Sequence, residues 1–166
     1  MQQTSIWETA KQIGAMTPMV EIKRKVTLKL LTTNMESALL FYKVFFDAEP
    51  ITIDSEHAVF EMENPPLNIM LVKNKNARVG AGHFGIQVKS TSIVREMSNR
   101  LDSAGFKLIK EDEADCCYAL QTKIWAADPD GYRWEIFVVT EAETEQGCGP
   151  DCICHADFDR TMLANQ

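Results

Sequence analysis

Asp115-Cys116-Cys117-Tyr118-Ala119-Leu120-Gln121-Thr122-Lys123-Ile124-Trp125-Ala126-Ala127-Asp128-Pro129-Asp130-Gly131-Tyr132-Arg133-Trp134-Glu135 puts two adjacent thiols, a strand, a tight turn and a second strand bearing a carboxylate into one run. Asp128-Pro129-Asp130-Gly131 has the chemistry of a β-turn, with Pro setting φ at the second position and Gly at the last. The flanks, residues 120–127 and 132–140, are rich in aromatic and β-branched residues and predict a hairpin. Side chains alternate across a strand, so Trp134, Ile136 and Val138 share one face while Arg133, Glu135 and Phe137 share the other. A carboxylate in so apolar a strand needs a partner, because an isolated buried charge is costly.

The thiols narrow the chemistry. Adjacent Cα atoms lie about 3.8 Å apart, short of the roughly 4.4 Å that an ordinary disulfide requires. Cys116 and Cys117 are therefore read as free thiols. Glu111, Asp112, Glu113 and Asp115 precede them, and negative charge disfavours a thiolate, which argues against a primed nucleophile. Two soft sulfurs side by side suit a thiophilic centre. The residues alone leave a second reading open, in which one cysteine is a small core residue.

Working outward, the element order repeats. Residues 26–31 read as a strand, Asn34 caps a helix running through Phe46, and three short strands follow at 51–53, 57–62 and 67–72. The second pass has a strand at 84–88, a helix over 92–104 ended by Gly105, and strands at 107–110, 119–127 and 132–140. An offset of 56 takes Thr27 to His83 and Ala48 to Ala104. The pattern predicts an α+β fold of paired βαβββ modules forming a curved mixed sheet around a cavity. If Phe84, Ile86 and Val88 pack on the helix, His83, Gly85 and Gln87 face the other way, toward the side of Glu135. An imidazole and a carboxylate converging there would make two-thirds of a facial triad for a divalent metal. A hydrogen-bonded structural histidine is the competing reading.

Composition bounds the rest. The chain has 166 residues, 45% of them hydrophobic, long enough for a real core. Three segments are expected: an extension over 1–24, a domain over 25–142 and an acidic, Cys-rich tail over 143–166. No stretch approaches the roughly 20 apolar residues of a membrane span. Glu8 and Lys11 interrupt any signal-like run, and five clustered cysteines suit reduced thiols, so a cytoplasmic protein is expected. Residues 1–110 carry 14 Lys/Arg against 11 Asp/Glu, whereas residues 111–166 carry 3 against 13. That acidic half argues against nucleic acid and membrane partners and favours cations. A homodimer is left open, with residues 1–24 packing on the domain or on a second chain.

The paired modules, His83-Phe84-Gly85-Ile86-Gln87-Val88 and the Asp128-to-Glu135 run resemble the vicinal oxygen chelate superfamily of glyoxalases, bleomycin-resistance proteins and extradiol dioxygenases. The run from Cys116 to Trp125, with Glu36-Ser37-Ala38-Leu39-Leu40-Phe41-Tyr42 and Pro65-Pro66-Leu67, is similar to the narrower group of cadmium-induced proteins and carbon–arsenic lyases. The resemblance covers about residues 25–142 and implies a definite chemistry. Similar lyases bind Fe(II) through two histidines and a glutamate, hold a trivalent organoarsenical on adjacent cysteines, and use O₂ to break the carbon–arsenic bond. It places His83 on the second histidine, Glu135 on the glutamate, and Cys116 with Cys117 on the thiol pair. No catalytic residue is assigned beyond the metal ligands.

Thr27 stands at the first histidine's position and is a poor ligand for Fe(II). Lys29 shares its strand face, and an ammonium there would oppose a dication. The expectations are therefore an organoarsenical or heavy-metal handling protein of the lyase type, using Fe(II) or another divalent metal, or a non-catalytic thiol-based protein sequestering As(III) or Cd(II). A glyoxalase-like or drug-resistance protein acting on another substrate is the third, and it leaves the thiol pair unexplained. The tail adds Cys148, Cys152, Cys154 and His155, a second cluster of soft ligands.

Overall fold

The computed structural model describes residues 25–77, 83–116 and 118–145. The first module comprises β1 (Val26–Thr32), α1 (Met35–Phe46), β2 (Thr52–Ile53), β3 (His57–Glu63) and β4 (Pro66–Lys73). The second comprises β5 (Phe84–Gln87), α2 (Thr91–Ser103), β6 (Leu108–Cys116), β7 (Ala119–Ala127) and β8 (Arg133–Ala142). The βαβββ order is thus present twice, in an α+β fold. Its strands form two four-stranded mixed sheets, ordered β1-β4-β3-β2 and β5-β8-β7-β6. In each, the first strand lies parallel to the last and the remaining pairs are antiparallel.

Local chemistry accounts for the boundaries. Asn34 accepts a hydrogen bond from the Ser37 N–H at 3.1 Å and so caps α1. Gly105, at φ +84°, follows the end of α2. Its N–H donates to Asp102 O and that of Phe106 to Leu101 O, closing the helix with a left-handed turn. Arg100 of α2 donates from Nε to Val44 O and from Nη2 to Phe45 O, covering carbonyls that α1 leaves open at its end.

Alternation decides the faces as expected. Leu67, Ile69 and Leu71 of β4, and Trp134, Ile136 and Val138 of β8, join one buried cluster with Phe41, Tyr42 and Phe45 of α1. Trp134 is ringed by Tyr42, Phe45, Phe46 and Phe84 at centroid distances of 4.8–6.2 Å. Phe84, Ile86 and Val88 pack against the same cluster, which sends the side chains of His83 and Gln87 to the opposite face of the second sheet.

The Asp128–Gly131 turn binds the modules together. Gly131 N donates to Asp128 O at 3.0 Å, and Gly131 sits at φ +93°, where glycine is favoured. Asp128 Oδ1 accepts from the N–H groups of Asp130 and Tyr132, while its Oδ2 takes the Tyr42 hydroxyl of α1 at 2.7 Å. Asp130 accepts from the N–H and hydroxyl of Thr33, and Tyr132 Oη from the Leu31 N–H. Burial raises the Asp128 carboxyl above its ordinary range, partly offset by the Tyr42 and backbone hydrogen bonds.

β6 departs most from expectation. The sequence pattern predicts an end near Lys110, but the strand continues to Cys116 through an irregularity between Glu111 and Ala114, where Glu113 adopts φ +50°. The acidic run looked like loop because strand propensity disfavours Asp and Glu; pairing with β7 overrides it. Among the described residues no helix is long and apolar enough to cross a membrane.

Candidate functional site

Glu135 is the third residue of β8, level with Gly85 of β5 and Trp125 of β7. Its side chain is 10% exposed. Two basic groups meet it there. Lys123 Nζ donates to Oε1 at 2.9 Å, and His83 Nε2 stands 3.5 Å from Oε2. The second distance is an ion-pair contact when the imidazole is protonated, and too long for a strong hydrogen bond. A Cβ on Gly85 would lie 3.3 Å from Phe137 Cε1 and 3.5 Å from Glu135 Oε2. The missing side chain therefore keeps the β5 backbone close to the carboxylate without crowding Phe137.

Lys123 is the partner that the buried carboxylate required. It faces Phe137 in register and meets Glu135 diagonally across the β7–β8 ladder. Only 1% of the residue is exposed. Burial disfavours its ammonium, but hydrogen bonding and Coulombic attraction to Glu135, with a further hydrogen bond to Cys116, outweigh that and raise its pKa. The ammonium also stands 5.8 Å from the Trp125 ring centroid, within cation–π range. Trp125 donates from Nε1 to Glu111 Oε2 at 2.8 Å, and the His83 ring packs edge-on against it at 4.8 Å. Carboxylate, ammonium, imidazole and indole thus form one continuous cluster.

Cys116 joins this cluster through Lys123. It is a buried, free thiol at the end of β6, paired with Ala119, and its carbonyl accepts from Gln121 Nε2 at 3.2 Å. The sequence suggested an acidic surrounding for the thiol. In the fold the Lys123 ammonium also reaches it. Glu111 is turned to Trp125 and Asp115 to Thr144. Cys117, Cys148, Cys152, Cys154 and His155 lie outside the described residues.

Thr27 and Lys29 lie on the other sheet. Both are exposed on β1 of the first sheet, opposite Asn68 and Met70 of β4. The sequence left the partner of the Glu135 carboxylate unnamed; it is Lys123. The signal for Lys123 was present, since the one charged residue of β7 faces the carboxylate strand one hairpin turn away. Alternation alone could not choose it, because the register across the turn had first to be known.

An Fe(II) or similar dication would need three donors in facial arrangement. Among the described residues no group of three His, Cys, Asp or Glu side chains comes together to hold a metal. His83 and Glu135 supply two, and one oxygen of Glu135 is engaged by Lys123. The described donors do not fit a complete triad.

Comparison with known proteins agrees with the architecture. The profile of the Glyoxalase/Bleomycin resistance protein/Dioxygenase superfamily matches residues 24–136. The chain is 41% identical over 128 residues to a trivalent organoarsenical cleaving enzyme from Bacillus sp. strain MD1, covering 75% of this chain and 79% of that one. It is 35% identical over 126 residues to the cadmium-induced protein CadI of Mycobacterium tuberculosis, covering 76% and 83%. A glyoxalase-related enzyme of solved structure from Fulvimarina pelagi superposes with a TM-score of 0.55 at 19% identity, over 76% of this chain and all of that one. With the doubled module, the sheet order and the profile in agreement, the chain belongs to the glyoxalase/bleomycin resistance protein/dioxygenase superfamily.

Proposed function

We propose that this protein captures trivalent organoarsenicals, or a comparably soft cation such as Cd(II), on the vicinal thiols Cys116 and Cys117. The observation that carries the reading is the sharing of Lys123: one buried ammonium holds both the Cys116 thiol and the Glu135 carboxylate. A monosubstituted trivalent arsenical bears two exchangeable hydroxyl ligands. Two thiols replace them, forming two As–S bonds and releasing two water molecules, with no change of oxidation state. The names of the Bacillus and Mycobacterium relatives support the same substrate class. Free thiols need a reducing compartment, which favours the cytoplasm.

The test is stoichiometric binding of phenylarsine oxide followed by intact-protein mass spectrometry. A single adduct is expected, lost in Cys116→Ser/Cys117→Ser. An adduct persisting in that variant would overturn the reading.

A second reading is an Fe(II)-dependent, O₂-using carbon–arsenic lyase. It is favoured by His83 standing 3.5 Å from Glu135 and opposed by the missing third donor at Thr27. Iron-supplied protein incubated aerobically with phenylarsine oxide separates the two. Released arsenite, abolished in His83→Ala, supports cleavage, and a stable adduct without arsenite supports capture.

A further inference from the structure

The two modules meet along two seams related by the duplication, and the seams are not alike. At the first, the Asp128–Gly131 turn of the second module closes on the first module. Asp130 accepts from the Thr33 N–H at 2.8 Å and from its hydroxyl at 2.7 Å, and Tyr42 donates to Asp128 at 2.7 Å. The counterparts at the second seam follow from the offset and the register. The offset of 56 takes Thr33 to Lys89 and Tyr42 to Ser98. Leu28 is level with Ile69 and its counterpart Phe84 with Trp134, so β4 and β8 align as well, matching Glu63 with Asp128 and Pro65 with Asp130. Pro65 has no side-chain acceptor to offer Lys89. Ser98 has no ring to span the seam, and Glu63 pairs with Lys25 at 2.8 Å.

Where the first seam is filled, the second holds a cavity of about 320 Å³, a size that suits a small molecule. Phe46, Met62, Ile86 and Met97 are among its walls, drawn from both modules, and Lys89, Glu96 and Arg100 supply its charges. Arg100 is held by the carbonyls of Val44 and Phe45 and stands 3.8 Å from Glu96. Among the described residues no acidic side chain pairs with Lys89. The cavity is therefore net positive, and its unengaged cation is the residue in Thr33's place. Two thioethers and a phenyl ring in the wall favour an aromatic guest, since both pack well against ring edges and faces. We propose that this second seam binds a small aromatic carboxylate, its ring in the cavity and its carboxylate on Lys89. The ligand then does for Lys89 what the Asp130 carboxylate does for Thr33. The site shares no lining residue with the His83, Lys123 and Glu135 cluster and is independent of the thiol-pair reading.

The experiment is calorimetric titration of 4-phenylbutyrate, and of its neutral amide, into the full chain, Lys89→Met, Met97→Trp and Cys116→Ser/Cys117→Ser, with circular dichroism as the folding control. The full chain is expected to bind the carboxylate with a Kd of about 1 mM or tighter. The amide should bind about fivefold more weakly, the scale of one ion pair at a solvent-exposed lysine. Lys89→Met should lower the carboxylate to the affinity of the amide, and Met97→Trp, which fills the cavity, should lose both compounds. The thiol variant should bind as the full chain does. Absence of binding to the full chain, equal affinity for carboxylate and amide, or undiminished binding in Lys89→Met or in a folded Met97→Trp overturns the site. Loss of binding in the thiol variant also overturns it, moving the ligand to the Cys116 cluster. Lys89→Met changes an exposed side chain and decides the matter if Met97→Trp does not fold.

Discussion

The two modules repeat one βαβββ order yet treat the sheet face away from the helices in opposite ways. In the first, that face carries Thr27 and Lys29, both exposed, beside half-buried Asn68 and Met70. In the second, the same face carries Lys123, Trp125 and Glu135, all buried. The helix-facing sides are alike, apolar and joined in one core. A duplicated fold thus needs both copies of its core face, whereas the opposite face is free to diverge. In the second module that face holds a buried charge pair; in the first it presents exposed Thr27 and Lys29.

The most direct way to break this contrast is to remove one charge. Lys123→Met leaves the Glu135 carboxylate buried against a methyl group and is expected to cost about 3–5 kcal/mol in urea denaturation. Adding Glu135→Leu should recover most of that loss, because an apolar pair of similar volume replaces the ion pair without an orphaned charge. Lys29→Met, on the matching face of the first module, should leave the urea midpoint unchanged. Equal losses at Lys29 and Lys123 would show the two faces to be equivalent.

The clasp between the modules comes next. Asp128→Ala removes acceptors for Asp130, Tyr132 and Tyr42 and should cost about 3 kcal/mol, while Asp128→Asn, which keeps the backbone acceptor, should cost about 1 kcal/mol. Its pH dependence has a definite sign. Burial raises the folded-state pKa of Asp128, so the folded state binds the extra proton first. The contribution is present at pH below the unfolded-state value and is lost as pH rises through the folded-state value. Relative to wild type, Asp128→Asn should therefore lack this acid-side gain when thermal midpoints are compared across the acidic range.

A smaller effect sharpens the comparison from the other side. Thr27→His places an imidazole on the exposed face of the first module. If that face meets His83 and Glu135 across the fold, Co(II) affinity read by visible absorption should rise at least tenfold. Unchanged affinity would show that the two faces act independently.

Particular residues show how far the sequence could be read. Asn34, Gly105 and the Asp128–Gly131 turn were legible because caps and turns depend on a few adjacent residues. Trp134 and Glu135 fell on opposite faces by alternation alone. The continuation of β6 through Glu111–Cys116 was not legible, since a strand so acidic exists only by pairing with β7. The partner of Glu135 could not be named for a related reason. Lys29 and Lys123 both sit on strands, and only register says which of them reaches the carboxylate.

The order of the elements, the doubled module, the apolar face of each strand and the adjacency of two thiols were thus determined by the sequence itself, through periodicity and local backbone preference. Three things required the tertiary structure: Lys123 as the ion on Glu135, Cys116 on that same ammonium, and Thr144 fastened to Asp115 and Tyr118. Each is a contact between segments whose separation along the chain carries no information about their distance in space, and only the packing of the second sheet sets that distance.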